Sequence, residues 1–462
     1  MKRLAYFALL LGSGCTTLGP DYKRPAVELP ARYPASAAEG EASIAADWWR
    51  LYRDPTLDEL VAATRATNSD IRIAAAQVEE AEAVLRQARA AVFPEITGGF
   101  ARSSTRVSTR TSPPPIATVP LTRPDARLFA STSFEVDFWG RVARTGEAAR
   151  ASLLGTRYAR EVVTLTVGGL TAQVYFSLRS LDAQLEVLEQ TIAARRDSVA
   201  LARARLDAGL ASELDLYQAQ GALSDALVQR REAERQRALL ERQLAQLTGR
   251  LDLKLASGSL FSLPVPPTPP AGLPSSLLER RPDVRAAEQT LIAANAQIGV
   301  ARAALFPSVS LTGVAGRESA AVSDLLSSGA AIWSLGFALT LPIFDAGRRE
   351  AVVEQIEARR KQALGAYQRS IESAFREVSD ALVNLEQSGA SEADLAERVA
   401  AARQALELST MRYEAGYSPY LEVLDAQRTA NEAELAFVRN RQARLAFSVD
   451  LMKALGGGWK AD

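Results

Sequence analysis

The chain has 462 residues, and its 54 Lys+Arg balance its 54 Asp+Glu, so it carries no net charge that would attract it to nucleic acid. It contains no histidine, one cysteine and three methionines, which removes most of the usual ligands for zinc, copper or iron and the commonest general base. We therefore predict no catalytic site, no metal, no cofactor and no nucleic-acid partner.

The N-terminus has the pattern of an export signal. Two basic residues precede the apolar run Leu4 to Leu11, and three small residues lead directly into Cys15. We interpret residues 1–14 as a signal peptide and Cys15 as the acylated first residue of a bacterial lipoprotein, the alternative being a spare thiol in a discarded peptide. Thr16 follows, where lipoproteins held at the inner membrane commonly have aspartate, so an outer-membrane location is favoured.

The first half of the mature chain alternates helical and extended patterns. Prolines punctuate residues 15–55, which predicts an extended, lipidated tether. Trp48-Trp49 then opens a short helix, and a second helix from Asp70 to Val92 is stopped by Phe93-Pro94. Strands are predicted at Ile96 to Arg102 and Phe129 to Phe138, and in the second Phe134, Val136 and Phe138 alternate with Glu135 and Asp137.

A very long helical arm follows, since no proline occurs from Gly146 to Leu206. Apolar residues recur along it at alternating steps of four and three: Leu181, Leu185, Leu188, Ile192, Val199, Ala202 and Leu206. This spacing is typical of a coiled coil, and only Arg195 interrupts it. At roughly 1.5 Å per residue the arm would be about 90 Å long. It turns at Gly209 and returns as a helix that ends at Thr248-Gly249.

Residues 263–274 are rich in proline and are predicted to link this half to a second one. Strands are predicted at Ser308 to Val314 and Ile332 to Leu341. A second arm runs from Arg348 to Glu414, with a break predicted near Ser388-Gly389, and turns at Gly416.

The two halves repeat each other. Phe93-Pro94 corresponds to Phe306-Pro307, and a glycine stands eleven residues before a glutamine in both copies, as Gly209 and Gln220 and as Gly416 and Gln427. Residues 56–262 and 275–462 are therefore predicted to be two repeats of helices, two strands and a long helical hairpin.

Neither the arms nor the strands can complete a structure within one chain. A helix with a single apolar stripe must pack against neighbours, and four strands cannot close a barrel, which needs about eight. No segment after the N-terminus approaches the roughly 20 apolar residues of a membrane-spanning helix, so any membrane crossing would use strands. We therefore predict an oligomer.

Several motifs identify a family. The stretch from Arg280 to Gly313, the GPDYKRP of residues 19–25, the FDAGR of residues 344–348 and residues 415–427 resemble TolC-like outer membrane factors. The resemblance is to the lipoprotein branch that serves resistance-nodulation-division efflux pumps. It implies a mainly helical homotrimer in which each chain gives four strands to one membrane β-barrel and its helices to a hollow periplasmic barrel.

The function implied is an outer-membrane exit duct for small molecules or ions, fed by an inner-membrane pump through a periplasmic membrane-fusion adaptor. The resemblance places the adaptor contacts on both helix tips: Arg205, Gly209, Leu210, Ser212, Arg412, Gly416 and Ser418. It places a periplasmic gate at Tyr417, Glu422 and Asp425. The simpler interpretation is that Tyr417 packs the turn and that both acids favour a helix start.

Two other functions compete with the duct. A periplasmic adaptor or scaffold lipoprotein would share the cysteine and a long hairpin, but it would normally have one hairpin rather than two. An exported hydrolase would need a nucleophile and a base without histidine. Drugs, solvents and metal ions all remain possible substrates.

Overall fold

The computed structural model describes residues 17–30, 33, 44–114, 116, 118–269 and 277–458. The predicted signal peptide and Cys15 lie outside these residues, as do parts of the predicted tether and linker. The helices are α1 Pro55–Thr67, α2 Ser69–Ala90, α3 Arg141–Asp207, α4 Glu213–Leu247, α5 Leu277–Arg280, α6 Pro282–Ala303, α7 Arg348–Glu414 and α8 Tyr420–Ala454. The strands are β1 Glu95–Arg106, β2 Thr122–Val136, β3 Ser308–Ser319 and β4 Ala331–Thr340. No helix within the described residues combines the length and apolar character needed to cross a membrane.

The tryptophan pair and α1 form two elements rather than the single short helix that was predicted. Trp48–Tyr52 is a 3-10 helix, and Arg53 then adopts a left-handed conformation with φ 51°. Asp54 caps α1, because its carboxylate accepts hydrogen bonds from the backbone N–H of Thr56 and Leu57. A left-handed residue followed by a cap cannot continue one helix, which explains the difference.

The second arm, α7, has the predicted bounds, but the predicted break near Ser388-Gly389 is wrong. The helix is continuous there. Ser388 is buried, and its carbonyl accepts a hydrogen bond of 3.0 Å from the Asn440 side chain of α8. Glycine inside a helix costs about 1 kcal/mol relative to alanine, and tertiary packing of this kind outweighs such a cost.

The strands form one antiparallel sheet in the order β1-β2-β3-β4. All four predicted strands are present, and β2 begins at Thr122 rather than Phe129. One face is polar: Thr97 hydrogen-bonds Ser131 at 2.8 Å, and Arg127 is paired with Glu318 at 2.6 Å. The opposite face carries the exposed apolar side chains of the sheet, including Ile96, Phe100, Leu128, Trp333, Leu335, Phe337 and Leu339.

The chain forms two compact units, and both predicted repeats contribute to each. The unit that contains the sheet takes its described residues from 17–25, 79–155 and 287–366. The other takes them from the described parts of 26–78, 156–286 and 367–462. Neither predicted repeat forms a compact unit by itself, so the division of the chain into two repeats remains a prediction.

In the unit with the sheet, the start of the predicted tether lies against helices. The N–H of Leu18 donates to the Trp139 carbonyl at 3.0 Å, and Asp21 is paired with the buried Arg144 at 2.7 Å. Further along, Arg24 binds the buried carboxylate of Glu288 at 2.6 Å. Charge-assisted bonds of this kind hold the extended segment in a defined position.

In the other unit, aromatic and aliphatic side chains from both repeats share one core. Trp48, Tyr52, Phe176 and Leu244 are almost completely buried in it. The Tyr52 hydroxyl is satisfied by Ser448 of α8 at 2.6 Å. The 3-10 helix that precedes α1 is thus part of the core rather than part of a loose tether.

Candidate functional site

The candidate site lies at the two helical tips, where α3 turns into α4 and α7 turns into α8. At the first tip Gly209 has φ +73°, a conformation that glycine adopts without steric cost. Its N–H donates to the Leu206 carbonyl, and the N–H of Leu210 donates to the Arg205 carbonyl, both at 2.8 Å. This pair of bonds is the Schellman motif that closes a helix C-terminus.

The second tip repeats this geometry. Gly416 has φ +78°, and its N–H donates to the Tyr413 carbonyl at 3.0 Å. The N–H of Tyr417 donates to the Arg412 carbonyl at 2.8 Å. The predicted turn glycines are therefore both confirmed, and the backbone of the two tips follows the same hydrogen-bond pattern.

The helices that leave the tips begin differently. Ser212 caps α4, because its hydroxyl accepts a hydrogen bond from the N–H of Asp215 at 3.4 Å. Pro419 holds the corresponding position before α8 and makes no side-chain cap. A side-chain cap contributes about 1 kcal/mol, so the start of the second returning helix is less strongly held.

Arg205 joins the two tips. Its Nη1 donates to the carbonyls of Tyr413 at 2.8 Å and Glu414 at 3.2 Å, which are the last residues of α7. Its guanidinium also lies 4.8 Å from the centroid of the Tyr413 ring. A cation at a helix C-terminus satisfies free carbonyls and the negative end of the dipole, so Arg205 stabilises the end of the opposite arm.

Tyr413 is a residue of this site that the sequence interpretation missed. It is 4% exposed and packs against Tyr420, with ring centroids 5.4 Å apart. Burial raises the pKa of the Tyr413 hydroxyl, the Asp215 carboxylate adds to the rise and Arg205 opposes it. Tyr413 corresponds in the second repeat to Leu206, which is the last residue of the apolar stripe in the first repeat. This correspondence is the sequence signal from which the burial of Tyr413 could have been predicted.

The predicted gate residues are exposed, and among the described residues no hydrogen bond or ion pair joins them to one another. Tyr417 is 80% exposed. Glu422 lies 3.6 Å from Arg412, and Asp425 lies 3.0 Å from Arg428 on the same helix. Ion pairs this exposed contribute little stability, which leaves these side chains available for contacts outside the chain.

Asp425 also lines a groove of about 650 Å³ between α4 and α8. Arg195, which interrupts the apolar stripe of α3, reaches the groove and donates to the Ala222 carbonyl. Burial lowers the pKa of the Arg195 guanidinium, and the Asp225 carboxylate opposes this. The stripe tolerates an arginine here because a carbonyl and a carboxylate face its charge.

Comparison with known proteins identifies the family. The sequence profile described as outer membrane efflux protein matches residues 60–250 and 273–457, so each matched segment covers most of one predicted repeat. The chain belongs to the outer membrane efflux protein family. The solvent efflux pump outer membrane protein SrpC of Pseudomonas putida is 35% identical over 479 aligned positions, covering 99% of this chain and 98% of that protein.

Solved structures of outer-membrane channels are also similar to this chain. The outer-membrane channel OprN is 27% identical with a TM-score of 0.88, covering 96% of this chain and 99% of that one. The open state of the MtrE outer membrane channel of Neisseria gonorrhoeae is 28% identical with a TM-score of 0.86, covering the same shares. The predicted family and the mainly helical fold with four strands are thus confirmed, and nothing found favours the scaffold.

We expect Arg205→Ala to loosen the second tip. Loss of charge-assisted bonds to the end of α7 should speed hydrogen exchange of the Gly416 and Tyr417 amides about tenfold, measured by mass spectrometry. Arg203→Ala, which removes an exposed arginine two positions earlier on the same helix, is the matched control and should leave both rates unchanged. Equal rates in the two variants would show that Arg205 does not hold the tip.

Proposed function

We propose that the chain is the outer-membrane exit duct of a tripartite efflux system. In this role it works as a homotrimer that receives small molecules or ions from an inner-membrane transporter through a periplasmic adaptor. Family membership supports the proposal, and so does the sheet, because β1 and β4 each pair on one side only among the described residues. Three copies supply twelve strands, within the range of closed membrane barrels.

The first experiment measures ion conductance of the purified, lipidated protein in a planar bilayer together with its oligomeric mass in the same detergent. We expect a trimer that gives small, cation-preferring conductance steps, because acidic side chains would line its narrow end. A monomer that conducts under no condition, with or without an adaptor, would instead favour the scaffold.

The proposed gate lies at the second tip. In a trimer, Asp425 and Glu422 would form rings of negative charge that attract cations to the narrow end. Tyr417 would contact its counterparts there, which its 80% exposure in a single chain allows. Opening would move the second hairpin outward about Gly416, and an adaptor would drive it by binding the open state more tightly.

The double variant Tyr417→Ala, Asp425→Ala tests this gate. Removing the aromatic contact and the acidic ring should raise single-channel conductance and reduce the preference for cations. The control is Tyr217→Ala, because Tyr217 is a comparably exposed tyrosine near the first tip. If the double variant conducts like the unmodified protein, the gate lies elsewhere.

The proposed adaptor contacts divide into two groups. The side chains of Leu210 and Ser212 are exposed at the first tip, and Leu210 is 70% exposed, so an adaptor could bury an apolar surface there. Arg412, Gly416 and Ser418 would form the corresponding surface at the second tip. Arg205 would contribute indirectly, since its guanidinium is directed at the end of α7.

We also propose that Cys15 carries a lipid. The sequence supports the assignment, because two basic residues, the apolar run Leu4 to Leu11 and three small residues directly precede Cys15. Radiolabelled palmitate should be incorporated into the protein but not into Cys15→Ser; equal labelling of both would exclude this anchor.

A further inference from the structure

The apolar face of the sheet ends in a group of arginines. Register places Phe100 of β1 beside Leu128 of β2, and Val136 marks the helix-side end of the same face. The nine residues from Leu128 to Val136 extend about 27 Å along the strand. With the usual tilt of about 40° this corresponds to about 20 Å across a membrane, close to the apolar band of outer-membrane barrels.

Beyond this band, the same face of β1 carries Arg102 and Arg106. Arg102 pairs in register with Ala126, and Arg106 pairs with Thr122, at the end of the sheet farthest from α2 and α3. Both arginines are exposed, and within the described part of the chain neither makes an ion pair or a hydrogen bond. Two unpaired cations therefore border the apolar face.

No carboxylate among the described residues forms an ion pair with either arginine. Residues 102–123 contain no aspartate or glutamate. Asp125 and Glu318 lie on the polar face by register, and Glu318 is paired with Arg127. Asp324 lies on the exposed loop between β3 and β4 and pairs with neither arginine.

In an oligomer, β4 of a second copy would pair with β1. It would bring no carboxylate to the two arginines, because its sequence AIWSLGFALT contains no charged residue. Arg317, the remaining arginine on this face, uses its Nη1 to hold the carbonyls of Leu325 and Ser327. Among the described residues, Arg102 and Arg106 are thus the arginines left without a partner on this face of the sheet.

We propose that Arg102 and Arg106 bind the phosphate groups of lipid A in the outer leaflet, an inference that rests on the outer-membrane location proposed above. A planar guanidinium can bind phosphate through two hydrogen bonds, and its aliphatic stem can lie along the acyl chains. The position of both arginines, just past the apolar band, matches the depth at which a membrane presents its phosphates.

The test uses native mass spectrometry to compare lipid binding by the unmodified full-length trimer with lipid binding by the double variant Arg102→Gln, Arg106→Gln. The probes are lipid A with two phosphates, the same lipid without phosphates, and phosphatidylglycerol. We expect the bisphosphorylated lipid to bind the unmodified protein, with affinity reduced on the order of tenfold for each arginine removed. The single variants Arg102→Gln and Arg106→Gln should each show part of the loss.

The matched control is Arg123→Gln, because Arg123 lies at the same end of the sheet but pairs in register with Thr105 on the polar face. It should bind lipid A normally. Equal loss in this control, equal binding of the dephosphorylated lipid, or equal binding of phosphatidylglycerol would each overturn the inference. Conductance of the same preparations separates the two proposals: a conducting protein with no lipid A preference refutes this site alone, whereas failure to conduct refutes the duct.

Discussion

Close packing of long helices through alanine is the constraint on which much of this structure depends. Ala202 and Ala219 of the first hairpin are completely buried, and so is Ala433 of the second. Alanine combines the highest helix propensity with the smallest side chain that still buries apolar surface, so helix axes can approach closely. The same residues that stabilise each helix therefore determine how near its neighbour lies.

At the tips the apolar packing gives way to directed polar contacts. Ala202, Ala219 and Tyr413 belong to one cluster, and Arg205 crosses from it to the carbonyls that end α7. A contact made through one guanidinium is easily lost if the second hairpin moves, whereas the buried alanines are not. The tip thus combines a rigid helix pair with a polar contact that a movement of the second hairpin would break.

The sheet has an apolar face and two edge strands that other molecules would have to cover. Its polar face carries hydrogen bonds and ion pairs within the chain, such as the Arg127–Glu318 pair. Its other face exposes Trp333 and Phe337, and among the described residues its edge strands β1 and β4 pair with a strand on one side only. A soluble monomer rarely leaves both an apolar face and open edges, which is why membership of an outer-membrane channel family accounts for the sheet.

Local chemistry determined much of this protein from sequence alone. The bounds of α7, the turns at Gly209 and Gly416 and the presence of four strands follow from periodicity, proline and glycine, whose effects act within a few residues. Only the tertiary structure decided that Ser388 lies inside a continuous helix, that Arg195 is matched by a carbonyl of α4, and that Tyr413 rather than Tyr417 is buried between the tips. Each of these outcomes depends on a partner distant in sequence, and the free energy of such a contact cannot be inferred from the residues beside it.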